Sequence, residues 1–443
     1  MKEPCIRVGI LAAENITFFL QGKFLSNVFP QVVQGVFCIR YRNHQLALEQ
    51  NGQTLGNLKE ITLTPTESDA FFSIEEVRIG IDFHWERKER QTFGGSIQCI
   101  VENQQVRLIN QIPLEQYLFS VIASEMNAAC TMEYLKVHAI VSRSWLLAQL
   151  EKRNSRQKEP ANSSLDQAQD RLIQWFDRED HTTFDVCADD HCQRYQGLQK
   201  ASTPQVEKAV TLTRGLVLKH QGAICDARFY KCCGGITEAY ENNWDPNPKP
   251  YLVSVRDHPN PVSLPDLRDE TNAEHYILSS PEAYCNTTDS KVLSQILNDY
   301  DMETRAFFRW EKTYRQEELS ALITKKSGID FGNILALIPL RRGFSGRIIE
   351  LKIIGTQKTM TIGKELLIRK YLSETHLYSS AFVVKTSGNK NMPPESFTFY
   401  GAGWGHGTGM CQIGAAMMCH QGFSYKEVLH HYYPSSEIVS IYS

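Results

Sequence analysis

No run of 18 apolar residues occurs in the 443-residue chain, so no transmembrane helix is expected. The opening Met1-Lys2-Glu3-Pro4, with residues 6–13 behind it, lacks the apolar stretch and small-residue cleavage site of a secretory leader. Nor does one charge dominate. Lys and Arg number 47 against 50 Asp and Glu, a net charge of −3, whereas a nucleic-acid or anionic-membrane partner would call for a basic face. Twelve cysteines are too sparse for a disulfide scaffold, and several should be buried free thiols. Internal repeats and low-complexity segments are lacking as well. What is present is ordinary for a globular chain: 42% hydrophobic and 22% charged, with length for two or three domains.

The expected fold class is α+β. Residues 1–108 alternate apolar and polar positions between turn signals and read as a β-rich N-terminal module. Residues 109–443 read as a mixed α+β part. Pro113 opens a helix to residue 126, and Thr131 caps a second from 132 to about 151. Residues 151–170 are polar and read as an exposed insertion. Two β-rich runs flank His220-Gln-Gly222, a hairpin turn, and residues 260–300 are irregular with short helices. Residues 307–385 read as a β-rich subdomain around a helix at 316–326. Ser424-Tyr-Lys-Glu427 is a capping box.

One segment stands out. Gly403-Trp-Gly-His-Gly-Thr-Gly-Met-Cys-Gln-Ile-Gly-Ala415 holds five glycines, four of them alternating. Glycine is used this way where the backbone needs φ > 0 or close approach to another body. A dinucleotide loop would need its third glycine at 408, 410 or 412, which are Thr408, Met410 and Gln412; a P-loop would need a lysine. Phosphate is thus excluded, and the floor of a binding site or a plain glycine-rich turn both stay open.

Three further patterns bear chemistry. Leu114, Leu118, Val121, Ile122 and Glu125 share one helical face, so Glu125 lies among core residues in the last turn of its helix. Burial and the negative helix end both favour its neutral acid form, which general acid catalysis needs. A glutamate reaching solvent at a fraying helix end is the alternative. Second, His181-Thr-Thr-Phe-Asp-Val-Cys187-Ala-Asp-Asp-His191-Cys192 suits zinc. His181, Cys187 and Cys192 would serve as three ligands with an open fourth position, and His191 ranks behind them because it adjoins Cys192. A Cys187–Cys192 disulfide or two unrelated thiols are the other readings. Third, Phe229-Tyr-Lys-Cys-Cys-Gly-Gly-Ile-Thr-Glu238 ends a strand in a Gly-Gly turn; either Thr237 and Glu238 point into a cleft or the turn is a simple hairpin.

In their order, these segments resemble the SpoIID/LytB family of sporulation proteins and amidase enhancers acting on peptidoglycan. Residues 113–126 are similar to its L-E-x-Y-L-x-x-V-x-x-x-E-M, residues 135–144 to L-K-A-Q-A-x-x-x-R-T, and residues 185–195 to Cys…Cys-Gln-x-Tyr. Residues 234–238 match G-G-x-T-E, and Ser345-Gly-Arg347, Arg369 and Ser379-Ser380 fit its later motifs. Residues 403–415 resemble G-W-G-H-G-V-G-M-S-Q-Y-G-A, departing at Thr408, Cys411 and Ile413. His138 stands where Gln is usual, and Cys232-Cys233 replace small hydroxyl residues. The resemblance leaves the first hundred residues uncovered and implies that residues 109–443 are a catalytic domain with an open cleft. It implies a lytic transglycosylase acting on denuded glycan strands, with Glu125 catalytic and zinc on His181, Cys187 and Cys192. It implies substrate-binding roles for Arg143, Tyr195, Gly234, Gly235, Thr237, Glu238, Trp404, His406 and Gln412. A non-catalytic enhancer partnering a cell-wall amidase is the rival, and a zinc-dependent wall hydrolase the second. The substrate implies the cell envelope, although no leader is legible and a reducing compartment suits free thiols.

Overall fold

The computed structural model describes all residues except 1, 80–86, 126–129, 157–164, 169, 176–180, 190, 199–202, 261–264, 297–305, 390–391 and 443. Met126 and residues 157–164 and 169 of the expected insertion therefore lie outside the described residues.

The alternating N-terminal pattern forms ten strands: β1 (Cys5–Ala13), β2 (Asn15–Ser26), β3 (Val32–Arg42), β4 (Gln45–Gln50), β5 (Gln53–Leu58), β6 (Glu60–Pro65), β7 (Phe71–Ile79), β8 (Arg87–Phe93), β9 (Ser96–Glu102) and β10 (Gln105–Pro113). They join one sheet in the order β1-β10-β9-β6-β2-β3-β4-β5, with β7 on β2 and β8 on β7. Alternation puts one face inward, so Val106, Leu108 and Ile112 of β10 are buried while Arg107 and Gln111 stay partly exposed. The edge of β1 takes a short parallel strand, Val186–Cys187, from the middle of the chain.

Two helices follow: α1 (Leu114–Glu125) and α2 (Met132–Arg156). The Glu3 carboxylate accepts the Glu115 backbone N–H at 3.1 Å, satisfying one open donor at the start of α1. The Thr131 hydroxyl does the same for Tyr134 N–H in α2. The polar stretch after residue 151 first extends α2 to Arg156. Its far end then pairs Leu165–Ala168 with Arg171–Gln174, which joins Thr359–Gly363 in a five-stranded sheet.

The hairpin at Gln221 and Gly222 forms, both residues having positive φ, and the Ser424 capping box is present. β10 runs across the 108/109 boundary expected between the two parts, and one hydrophobic core extends from Ile6 to Tyr433. A second core, around Trp310, Leu319, Ile348 and Phe399, fills the subdomain expected at 307–385 and extends past it. Mixed helices and strands after a β-rich start make the fold α+β.

Candidate active site

A cleft of about 1500 Å³ opens where the N-terminal sheet meets the helical part. That exceeds the roughly 300–1,000 Å³ of a small-molecule pocket and suits an extended ligand. One wall comes from residues 9–17 and 74–79 of the N-terminal sheet; the other includes Glu125, residues 228–231, Trp244, His406 and Gln412. The apolar stripe of α1 accounts for Glu125. Leu114, Leu118, Val121 and Ile122 are fully buried, and the next residue on that face emerges, half-buried, at the end of the helix. Its Oε1 accepts the Arg194 backbone N–H at 3.0 Å, which fixes the direction of the carboxyl group.

Arg194 belongs to the loop that holds the His/Cys cluster. Donor atoms of His181, Cys187, His191 and Cys192 all lie within 4.8 Å of one another. His181 Nε2 is 3.4 Å from Cys192 Sγ, and His191 Nδ1 is 3.5 Å from Cys192 Sγ and 3.8 Å from Cys187 Sγ. Tetrahedral bonds of about 2.3 Å to sulfur and 2.05 Å to nitrogen give S···N edges of about 3.5 Å, so the four donors fit one metal ion. His191 thus joins the set instead of standing aside, because a turn closed by Cys192 N–H on Asp189 O folds the adjoining side chains inward. Sharing with Cys192 and burial push the Cys187 thiol up, as two facing sulfurs must be when no cation offsets their charge. The loop is held down by β1 and by Arg153, which bonds Asp185 Oδ1 and Phe184 O at 2.9 Å.

Behind the cleft the two glycine turns interlock. All four alternating glycines of residues 403–409 have positive φ, as their spacing predicts. Their close neighbours, however, are protein. A Cβ at Gly407 would sit 2.5 Å from the Arg347 guanidinium, and one at Gly409 would sit 2.1 Å from Arg228 O. Gly234 packs against Gly403 N, and Gly235 against the Tyr276 hydroxyl. The run is the joint between two turns, and the close approaches of its glycines are to protein.

Several polar residues expected on the substrate are likewise engaged within the protein. Arg143 is fully buried, with Nε and Nη2 on the Glu115 carboxylate at 3.0 and 2.6 Å and Nη1 on Leu216 O at 3.0 Å. Tyr195 is stacked between Tyr117 and Phe93 and donates to Asn110 Oδ1 at 2.5 Å. Glu238 is fully buried and accepts from Ala239 N–H, Asn242 and Ser345 Oγ; Thr237 donates to Val253 O. Each polar group is too expensive to bury unbonded, and the fold has bonded it to itself. Arg143→Met should therefore cost about 3–5 kcal/mol of stability in a urea titration, by stranding the buried Glu115 carboxylate. It should leave ligand affinity of the folded protein unchanged; a pure affinity loss would restore Arg143 to the binding surface.

The expected aromatic platform also moves. Trp404 stacks on Tyr378 at 4.1 Å between centroids and lies outside the cleft lining, whereas Trp244 and Trp145 line it. His406 does line the cleft, but Nε2 donates to Phe229 O at 3.1 Å and Nδ1 accepts Thr408 N–H at 3.1 Å. Burial, with Arg228 nearby, holds its imidazole well below the usual range, so it is a neutral, fixed ring with both nitrogens engaged. Gln412 reaches the cleft and bonds His138 Nε2 at 3.2 Å.

Residues 102–220 match the family model described as Stage II sporulation protein, and residues 238–409 match a domain of unknown function, DUF8618. The chain is 28% identical to an amidase enhancer of Bacillus subtilis over 244 residues, 53% of this chain and 32% of that protein. It is 26% identical to stage II sporulation protein D of Bacillus amyloliquefaciens over 330 residues, 74% of this chain and 75% of that protein. These similarities support the SpoIID/LytB family. The aligned part spans about a third of the amidase enhancer and three quarters of the sporulation protein.

Against the SpoIID/LytB pattern, His138 in place of Gln acquires a physical reading. It is fully buried, edge-on to Phe229, with Nδ1 lacking a partner, and burial pushes its imidazole down to about 3. The unfolded chain takes up a proton near pH 6.5 that the native state refuses until about pH 3. Stability from this group is thus complete above pH 6.5 and declines below it by about 1.4 kcal/mol per unit. His138→Gln should flatten the fall of the urea midpoint between pH 6.5 and 5; an unchanged slope would rule His138 out as its source. The N-terminal wall, Trp244 and the cationic cleft residue Lys370 have no motif to mark them, although Trp244 lies only six residues beyond Glu238; Lys231 lies within the Phe229–Glu238 segment, where nothing sets it apart.

Proposed function

We propose that this protein is a lytic transglycosylase that cleaves the MurNAc–GlcNAc bond of peptidoglycan glycan strands stripped of stem peptides. The observation that carries the reading is the Glu125 carboxyl, presented by a buried helix face into a long cleft and oriented by Arg194 N–H. Glu125 protonates the glycosidic oxygen as oxocarbenium character develops at MurNAc C1. The resulting carboxylate then accepts the proton of the C6 hydroxyl, whose oxygen closes a 1,6-anhydro ring. An intramolecular nucleophile dispenses with the second carboxylate of ordinary glycosidases.

Cleft charge supports a denuded strand. Seven Arg and Lys line it against four Asp and Glu, although the whole chain is slightly acidic. A strand without stem peptides exposes the lactyl carboxylate of each MurNAc, and a cationic cleft favours it. Trp244 and Trp145 offer apolar surface to sugar rings. His181, Cys187, His191 and Cys192 would hold zinc, and four protein ligands make a closed, structural site that shapes the loop bearing Arg194. That arrangement disfavours the zinc-hydrolase reading, which needs an open coordination position for water.

Incubation with denuded glycan should yield fragments ending in 1,6-anhydroMurNAc, read by mass spectrometry; a folded sample giving only intact strands or reducing ends would refute the assignment. A non-catalytic enhancer is the second reading, favoured by the similarity to a protein named amidase enhancer. It predicts stimulation of a cell-wall amidase without anhydro product. Either role places the protein at the cell wall.

A further inference from the structure

A second set of metal-type side chains lies behind the interlocked turns, outside the cleft lining. Cys233, Asp257, Cys285 and Cys411 come from four distant parts of the chain, are all buried, and put their donor atoms within 4.8 Å of one another. Cys233 Sγ lies 3.3 Å from Cys285 Sγ. We infer that these four residues form a second, wholly buried binding site for one tetrahedral zinc ion.

The surroundings of the donors carry the inference. Cys411 Sγ accepts the backbone N–H groups of Cys233 and Gly414 at 3.2 and 3.4 Å, and Cys233 Sγ accepts that of Gly235 at 3.3 Å. Asp257 accepts Cys285 N–H at 2.8 Å on one oxygen and the Tyr432 hydroxyl on the other. These donors stabilise negative charge on sulfur and oxygen from outside, as the second shell of a thiolate metal site does. Four groups that can each ionise meet inside an apolar core, where they must either stay protonated or share a cation. Gly414 keeps the space open, since a Cβ there would meet Asp257 Oδ1 at 2.3 Å.

Two thiols of the set are also departures from the family motifs. Cys233 is one of the pair standing where small hydroxyls are usual, and Cys411 occupies the serine position of the glycine motif. Separated by 178 residues, they meet at one point with Cys285, which lies in no motif. Three thiolates and one carboxylate select zinc among common ions, and donors all within 4.8 Å of one another suit a single ion rather than a multi-iron cluster. The ion would clamp the 232–235 turn, the segment from 257 to 285 and the start of the Gln412–His420 helix into one frame. A Cys233–Cys285 disulfide is the competing chemistry; it needs an external two-electron oxidant and leaves Asp257 facing Cys411.

Metal and thiol analysis of the intact chain tests this. Elemental analysis by mass spectrometry should find about two zinc ions per wild-type chain. Cys411→Ser, which restores the family's side chain, should hold one fewer, as should Cys285→Ser. Zinc content unchanged by Cys411→Ser, or a Cys233–Cys285-linked peptide from wild-type protein denatured in alkylating agent, would overturn the site. Cobalt loading of a Cys192→Ser chain, in which the loop cluster is disabled, gives a readout independent of whether Cys411→Ser folds. It should show intense tetrahedral cobalt–thiolate absorption, and a featureless spectrum would likewise overturn it.

Discussion

Glu125→Gln should abolish formation of 1,6-anhydro ends, lowering the rate by about 10²- to 10⁴-fold, the range expected for loss of a general acid–base. Glutamine keeps the size of the side chain, and its amide oxygen can still accept Arg194 N–H, so the end of α1 and the loop should stay in place. What it cannot do is deliver a proton to the leaving oxygen and then remove one from the C6 hydroxyl. The melting temperature should therefore match the wild type, and binding of denuded glycan should stay within a few-fold. Turnover above about a tenth of wild type would remove Glu125 from the chemistry. Loss of both binding and stability would make it a structural residue. His406 cannot substitute as proton donor, being neutral and bonded at both nitrogens to backbone. A pH–rate profile should accordingly show no ionisation from it.

The same variant separates the two roles suggested by the relatives. If the cleft serves only to dock glycan for an amidase, Glu125→Gln should enhance the amidase as well as the wild type does. If anhydro ends are produced, the variant should bind and protect strands without cutting them. Measuring both readouts on one preparation avoids attributing a lost fold to a lost function.

Local physics was legible in the chain wherever one element decided the outcome. The stripe Leu114, Leu118, Val121, Ile122 both buried α1 and delivered Glu125 to the cleft. The alternating glycines point to positive φ or close approach, and all four have positive φ. What the pattern could not decide was which body those glycines approach. Gly407 faces Arg347 and Gly409 faces Arg228, contacts set by segments far away in sequence. The same limit explains Arg143, Tyr195 and Glu238. A polar residue in a motif is compatible with a bound sugar or with a buried partner such as Glu115, Asn110 or Ser345, and only tertiary pairing distinguishes them. Neighbouring side chains ordinarily diverge, which sets His191 behind its neighbour Cys192, and the bond from Cys192 N–H to Asp189 O defeats that rule. Nothing local reveals that β1 pairs with Val186–Cys187, which seats the His/Cys loop on the N-terminal sheet.

Loss of the loop metal should produce the second large effect, and its time course is the informative part. An ion held by all four of His181, Cys187, His191 and Cys192 would be structural, so its removal would act on the fold of that loop and reach Glu125 only through Arg194 N–H. Structural zinc contributes strongly to folding, but here the loop is also held by β1 and by the Arg153–Asp185 ion pair. Cys192→Ser should therefore lower the melting temperature by about 10 °C rather than unfold the chain, if some 5 kcal/mol is lost at about 2 °C per kcal/mol. Anhydro-product formation should fall with it, and added zinc should restore neither. In wild-type protein a chelator should abolish activity slowly, in step with loss of loop structure followed by near-ultraviolet circular dichroism. A metal-activated water would instead disappear as soon as the ion left, before any spectral change. Immediate loss of activity at full structure would reverse the assignment, making the metal the catalyst and Glu125 its base.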